Sequence, residues 1–310
     1  MLELRKDYIL DRYTIVAEER RKRPKQFLRQ EIKKEKGICY FCPGNENTTP
    51  KEKGRVEFKD KWLIRWFPNL FPAVELKGSP LMKGGKFTKK SNAYGYHEVI
   101  VETPDHDKQI ADLSVGHIAE VLKVYSLRIK ELSKNAKYVV IFKNQGKMGA
   151  TSLIHSHTQL ATYPKIPEAV KEKLNAIKKY KKCPYCDIIK QEMKSPRKIF
   201  VNKSFASFAP FASRFNYEAW IFPKKHIRNI TELEDIELVD LAELIKKILV
   251  KLSKLTDSYN MLLHYAPKGS DLHFHIEITP RIAIWGGFEL STGAVINSVA
   301  PETAAGFYRG

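Results

Sequence analysis

Residues 97–106 read HEVIVETPDH and residues 153–161 read LIHSHTQLA; residues 217–226 and 272–280 read YEAWIFPKKH and LHFHIEITP. These four stretches are one plan written twice. In the first member of each pair a Glu (Glu98, Glu218) stands eight residues before a His (His106, His226), and a Pro (Pro104, Pro223) closes a strand-like run. The second member alternates two histidines, His155 and His157 or His273 and His275, and continues to Gln159 or Glu277. Residues i and i+2 of a strand share a face, so His155, His157 and Gln159 point one way, as do His273, His275 and Glu277. The spacing is conserved between the copies: 49 residues from His106 to His155, 47 from His226 to His273.

Between the members of each pair lies the same filling. LSVGHIAEVLKVYSLRIKEL (113–132) and LEDIELVDLAELIKKILVKL (233–252) carry apolar residues at three- and four-residue steps, the period of an amphipathic helix. Each is followed by a strand pattern, YVVIFKN (138–144) or YNMLLHY (259–265). Strand, helix, strand, strand in each copy predicts an α+β fold of two tandem halves, each an antiparallel sheet with helix cover. Residues 1–161 make the first half and 183–310 the second. The polar, proline-containing stretch 162–182 links them and is itself helix-prone.

All four cysteines fall in two pairs, Cys39-Tyr-Phe-Cys42 and Cys183-Pro-Tyr-Cys186. Such pairs read as half-sites for Zn, each completed by other ligands; the other arrangement is one site using all four thiols, although pairs of that kind usually lie about 15–20 residues apart. The 310 residues allow one large domain or two medium ones, and 43% apolar residues exclude a wholly disordered chain. No apolar run is long enough for a transmembrane helix and the N-terminus has no uninterrupted apolar core, so a cytoplasmic protein is expected, with no membrane partner. A net charge of +19 favours anionic partners, nucleic acid or phosphorylated small molecules among them, or reflects a Lys-rich soluble surface.

The residues reached so far resemble the histidine-triad superfamily, specifically its galactose-1-phosphate uridylyltransferase branch. The resemblance is carried by CYFCPGN from Cys39, FPN from Phe67, TPDH from Thr103, His155-Ser156-His157-Thr158-Gln159, and GFEL…PETAAGFYR at the C-terminus, all in family order. It implies a first zinc held by Cys39, Cys42, His106 and His155, a closed set that makes the metal structural. The equivalent set Cys183, Cys186, His226 and His273 implies a second. It makes His157 the nucleophile, forming a nucleotidyl-histidine in a two-step transfer, and Gln159 an amide donor to a phosphate oxygen where the hydrolases carry a third histidine. Phe41, Phe67, Asn69 and Val99 map to the base pocket. Arg20 and Arg23 map to phosphate-binding arginines that in relatives reach across a homodimer interface. Asn144 and Ser152 fall beside the reacting phosphates, and Phe288 and Glu289 fall in the sugar-recognition stretch. His275 and Glu277 leave the second half a degenerate duplicate without a nucleophile.

The chain departs from the family pattern at two places. Val295 stands where the galactose enzymes carry a glutamine that contacts the sugar, and Leu70 where they carry an acidic residue near the nucleotide. The expected activity is transfer of UMP from UDP-glucose to a hexose 1-phosphate. The alternatives are a nucleotide-sugar phosphorylase, on ADP-glucose for example, and a histidine-triad hydrolase, against which Gln159 argues. A zinc-stabilised nucleic-acid binder would leave the H-x-H-x-Q strand without a purpose, so a nucleotide sugar and a sugar 1-phosphate, not nucleic acid, are the expected partners.

Overall fold

The computed structural model describes residues 2–22 and 37–310. In chain order the strands are β1 (Glu3–Lys6), β2 (Tyr13–Val16), β3 (Gly54–Phe58), β4 (Lys61–Pro68), β5 (Lys83–Gly84), β6 (Lys89–Lys90), β7 (His97–Val101), β8 (Tyr138–Gln145), β9 (His157–Tyr163), β10 (Lys198–Val201), β11 (Phe205–Phe208), β12 (Ala219–Pro223), β13 (Tyr259–His264), β14 (His275–Pro280) and β15 (Val295–Asn297). The helices are α1 (Val115–Leu132), α2 (Glu168–Ile177), α3 (Pro184–Glu192), α4 (Asp235–Leu252), α5 (Gly287–Thr292) and α6 (Pro301–Arg309).

Ten strands form one sheet in the order β10-β11-β12-β14-β13-β8-β9-β7-β4-β3, antiparallel throughout. The repeat is visible in that order. β3, β4, β7, β9 and β8 are matched from the other edge by β10, β11, β12, β14 and β13, and the two copies meet where β8 pairs with β13. The fold is α+β as expected, with the two half-sheets joined edge to edge.

Helices α1 and α4 follow from their patterns. Ser114 caps α1 by accepting from the His117 amide at 3.2 Å, and a capping box of Glu234 and Glu237 starts α4. Their apolar stripes, Ile118, Val121, Leu122, Tyr125 and Ile129 from α1 with Leu241, Leu244, Ile245 and Ile248 from α4, join Ile100, Ile141 and Leu160 of the sheet in one core. A smaller core lies on the opposite side of the first half: Phe41, Trp62, Phe67, Val99 and Val101. Neighbouring residues of β7 thus serve opposite faces, and all five residues of that strand are buried.

The chain ends pack together. β1, β2 and β15 form a separate three-stranded sheet in which β15 runs parallel to β2. Arg5 bridges to Glu302 at 3.0 Å, and the Tyr8 ring meets Phe208 and Trp220, so residues 2–22 lie on the second half. The stretch 162–182 contains the last two residues of β9 and helix α2. No helix among the described residues is long and apolar enough to cross a membrane.

Candidate active site

The face of the sheet left uncovered by α1 carries His157. Val101 pairs with His157 and Val99 with Gln159, and Phe67 pairs with Val99, so these side chains share that face. Phe41, from the loop of the first C-x-x-C pair, meets Phe67 at 5.6 Å and His157 at 5.4 Å between ring centroids. His157 Nδ1 lies 2.8 Å from the His155 carbonyl. A carbonyl only accepts, so Nδ1 carries the proton and Nε2 keeps its lone pair. Burial, with the Lys143 ammonium behind the strand, pulls the imidazole down to about 4. The ring therefore stands neutral at pH 7, the form a nucleophile needs.

On the far side of β9 a charged network holds the strand. Lys143 Nζ donates to Glu102 Oε2 at 2.6 Å, to Ser156 Oγ at 3.0 Å and to the His157 carbonyl at 3.1 Å. Ser156 and Thr158 donate to the two oxygens of Glu102, and Tyr125 adds a third hydroxyl. Burial by itself raises the Glu102 carboxyl, but the ammonium and the hydroxyl donors bring it below its usual range. A buried pair this fully bonded fixes geometry; losing either partner leaves a bare charge in the core.

Gln159 is oriented by His97. The Ala73 amide, which can only donate, bonds His97 Nδ1 at 2.9 Å, so the proton sits on Nε2 and goes to Gln159 Oε1 at 3.0 Å. The carbonyl end of the Gln159 amide is thereby occupied and its NH2 end faces the site. Asn69 Oδ1 accepts from the Phe71 amide at 2.9 Å, and its Nδ2 lies 3.3 Å from His97 Nε2. On the other flank, continuing the β8–β9 register past Phe142 and Gln159 puts Asn144 opposite His157.

Below Phe41 lies the first group of potential metal ligands. Cys42 Sγ is 3.4 Å from His106 Nδ1 and 3.6 Å from His155 Nδ1, and Cys39 Sγ is 3.4 Å from His155 Nδ1. Tetrahedral zinc bound to sulfur at about 2.3 Å and nitrogen at about 2.0–2.1 Å sets them about 3.5 Å apart. His155 Nε2 donates to the Thr103 carbonyl at 2.8 Å, which leaves Nδ1 unprotonated and aimed at the thiols. Burial and the neighbouring Cys39 hold the Cys42 thiol up at about 11, so the cluster keeps that proton unless a cation replaces it. Cys183, Cys186, His226 and His273 repeat the arrangement, with His273 Nε2 donating to the Pro223 carbonyl and His226 Nε2 to Asp271. Both groups fit zinc.

Residues 2–167 match the family model described as galactose-1-phosphate uridyl transferase, N-terminal domain. The chain belongs to the galactose-1-phosphate uridylyltransferase family. It is 34% identical to the ADP-glucose phosphorylase of Arabidopsis thaliana, over 98% of this chain and 91% of that one. It is 29% identical to the galactose-1-phosphate uridylyltransferase of Thermotoga maritima, over 98% and 97%. A crystal structure of an ADP-glucose phosphorylase from Arabidopsis thaliana with bound ADP-glucose superposes with a TM-score of 0.86 at 31% identity, covering 100% of this chain and 99% of that one.

Within the family frame, the remaining positions spread out. His157, Gln159, Phe41, Phe67, Val99, Asn69 and Asn144 share one face or its rim. Ser152 is exposed in the loop that leads into β9. Arg20 lies in a short turn tied to α6, where Thr303 donates to Glu18 at 2.9 Å. Phe288 and Glu289 lie in α5 beside β15, and Glu289 accepts from the Gly286 amide of its own helix start. No hydrogen bond or ring contact joins these last three to His157 or Gln159 among the described residues. Arg23 lies outside the described residues.

The second half repeats the posture of His157 but covers the ring that adopts it. His275 Nδ1 bonds the His273 carbonyl at 2.8 Å, as His157 bonds His155. Its Nε2, however, accepts from Lys173 of α2 at 2.8 Å, and Phe222 stacks on the ring at 4.6 Å. Lys173 also pairs with Glu277 and is buried. The imidazole that matches His157 is thus capped by an ammonium. Lys173→Ala takes the ammonium from the buried Glu277 carboxylate and leaves it only the imidazoles of His264 and His275, at 3.5 and 3.4 Å. Breaking a buried pair costs about 3–5 kcal/mol, and the two rings offset part of that. We expect a large fall in the urea midpoint with normal transfer by the molecules that remain folded.

The metal expectation is equally direct. Protein purified without chelator should carry one to two zinc ions per chain by elemental analysis. Cys39→Ser should cut stability far more than the chemistry of folded molecules, because the first metal would fix a loop, not a reacting atom. Structural zinc contributes on the order of 10 kcal/mol in small isolated domains, and less here, where a large core shares the load. Metal-free protein of normal stability would overturn this.

His97, Lys143, Glu102 and Lys173 are not singled out by the motifs. The available signal was alternation: in YVVIFKN, Lys143 falls in phase with Val139 and Ile141, which places a cation on a core face and calls for a buried acid.

Proposed function

We propose that the protein is a nucleotidyltransferase working through a covalent nucleotidyl-His157. The observation that carries this reading is the bare, neutral Nε2 of His157, set by the Nδ1–carbonyl bond at 2.8 Å. Nε2 attacks the α-phosphorus of a nucleotide sugar; a P–N bond forms, the P–O bond to the sugar phosphate breaks, and sugar 1-phosphate leaves with the electron pair. An oxygen of a second phosphate then attacks the same phosphorus, and the P–N bond returns its electrons to Nε2. Little covalent help is needed beyond positioning and charge stabilisation. The NH2 groups of Gln159 and Asn144 supply donors to the phosphoryl oxygens, and Phe41, Phe67 and Val99 wall the base. Zinc at the first cluster would hold the Phe41 loop against His155, two residues from the nucleophile.

Two donor and acceptor pairs fit. One is UDP-glucose with a hexose 1-phosphate of the galactose type, supported by the 29% identity to a galactose-1-phosphate uridylyltransferase. The other is ADP-glucose with inorganic phosphate, favoured by the 34% identity to a plant ADP-glucose phosphorylase and by Val295 and Leu70, which replace side chains of the galactose enzymes. A cytoplasmic homodimer belongs to this reading. The homodimer is supported by the matching of Arg20 to an arginine that in relatives reaches across a subunit interface, and by Arg20, Phe288 and Glu289 making no hydrogen bond or ring contact with His157 or Gln159 of their own chain.

The test is incubation with α-phosphate-labelled UDP-, ADP- and GDP-sugars alone, then with hexose 1-phosphates or phosphate. Acid-labile label on the protein, released as nucleotide sugar or nucleoside diphosphate by the right acceptor, is the expected result. No labelling from any donor overturns the reading.

A further inference from the structure

The second half has lost its own site, yet its strand β13 borders the first. Two of its residues form a chain of hydrogen bonds whose direction is forced at every link. Arg281, which can only donate, bonds Asn260 Oδ1 at 3.1 Å. Asn260 must then present its NH2 on the other side, and this group donates to the Gly149 carbonyl at 2.8 Å and to Asn144 Oδ1 at 2.8 Å. A carbonyl can only accept, so the far end confirms the direction set at the near end. Asn144 therefore has its oxygen occupied and its NH2 free, on the face that carries His157.

The same residues seat the loop that enters β9. Gly149 lies so close to β13 that a Cβ there would stand 2.7 Å from the Tyr259 carbonyl, and Gly146 turns at φ 70°. The Asn260–Gly149 bond thus pins the loop at the seam between the halves, six residues before His155.

We propose that Asn260 and Arg281, residues of the degenerate half, are positioning residues for nucleotidyl transfer at His157: they hold the Asn144 amide with its NH2 toward the phosphoryl group. This rests on the transfer reading above. Together with His97 acting on Gln159, it gives the nucleophile one oriented amide donor on each flank. The two donors are set by opposite halves of the chain, which is a reason for the fused pair to persist after one of its sites has closed.

The experiment is a double-mutant cycle on the full-length, metal-loaded protein with the donor and acceptor that the wild type exchanges. Asn260→Asp keeps the shape but removes the donor, so Asn144 is free to turn its oxygen to the phosphate. It should lower kcat about ten- to a hundredfold and change KM for the nucleotide sugar less than twofold. In an Asn144→Ala background the same substitution should change kcat less than twofold, because there is no amide left to orient. Asn260→Ala, which adds no charge, and Arg281→Met, which lets the Asn260 amide turn, should show smaller falls with the same dependence on Asn144. An equal fall with or without Asn144, or a fall matched by lost thermal stability, would mean that Asn260 only supports the fold and would overturn the proposal. So would a normal kcat in Asn260→Asp. Absence of transfer by the wild type is a different result: it overturns the functional reading itself before any variant is compared.

Discussion

His157→Ala should abolish nucleotidyl transfer while leaving fold and metal content near wild type. The imidazole makes one polar contact through Nδ1, to the His155 carbonyl, and one ring contact with Phe41. Both contacts touch neighbours of the first metal group, but neither uses one of its ligand atoms (Cys39 Sγ, Cys42 Sγ, His106 Nδ1, His155 Nδ1). Neither belongs to the Glu102 network, which grips β9 from the other face through Ser156 and Thr158. The residue can thus be removed without unseating the strand. Loss of the nucleophile in a two-step mechanism has no partial substitute. In the best-measured hydrolase such a loss costs on the order of a million-fold in kcat. The measurement pairs label uptake from a nucleotide sugar with circular dichroism and zinc content. Exchange at the normal rate by the folded variant rules out His157 as the nucleophile.

Gln159 should govern what happens to the nucleotidyl-histidine once it has formed. In the proposed transfer the amide's part is to donate to a phosphoryl oxygen, and an amide cannot deliver a proton. On that proposal the first leaving group is a sugar phosphate, a stable anion that needs little proton help, so an amide would suffice and the intermediate is expected to wait for an anionic acceptor. His97 makes this more than a composition argument, since the Ala73 amide forces its Nε2–H onto Gln159 Oε1 and leaves only the NH2 for substrate. Gln159→Ala should slow transfer and hydrolysis together. One lost donor in a pre-organised site costs about 3–4 kcal/mol in the acyl-transfer case, and somewhat less is expected on a partly solvated phosphate. Gln159→His should raise hydrolysis relative to transfer, read as free nucleoside monophosphate against exchanged product. Wild-type transfer by Gln159→Ala would make Gln159 a packing residue and remove the main argument for a transferase over a hydrolase.

Much of this was legible because the chain repeats. The paired C-x-x-C and H-x-H segments, and the helix between strands, needed only local periodicity, and their doubling predicted two copies of one unit. What periodicity could not reveal is which distant segments meet. β2 and β15 come from opposite ends of the chain, and their pairing carries residues 2–22 away from the half they precede. The stretch 162–182 reads as a polar connector because Lys173 looks like any solvated lysine of an amphipathic helix. Its burial against His275 and Glu277 is set by the partner surface and has no mark in the helix itself. His97 was hidden for a similar reason: its role comes from Ala73 and Gln159, both far away in sequence.

The seam between β8 and β13 has a consequence for the order of assembly. Helices α1 and α4 rest on local contacts, but the Asn144–Asn260 bond closes across 116 residues, the same span as the Cys39–His155 contact, and contacts that must wait for long loops to shut are slow. Catalytic competence in a refolding chain should therefore trail the recovery of helical signal, with the interval set by the closing of these long loops on both sides of His157.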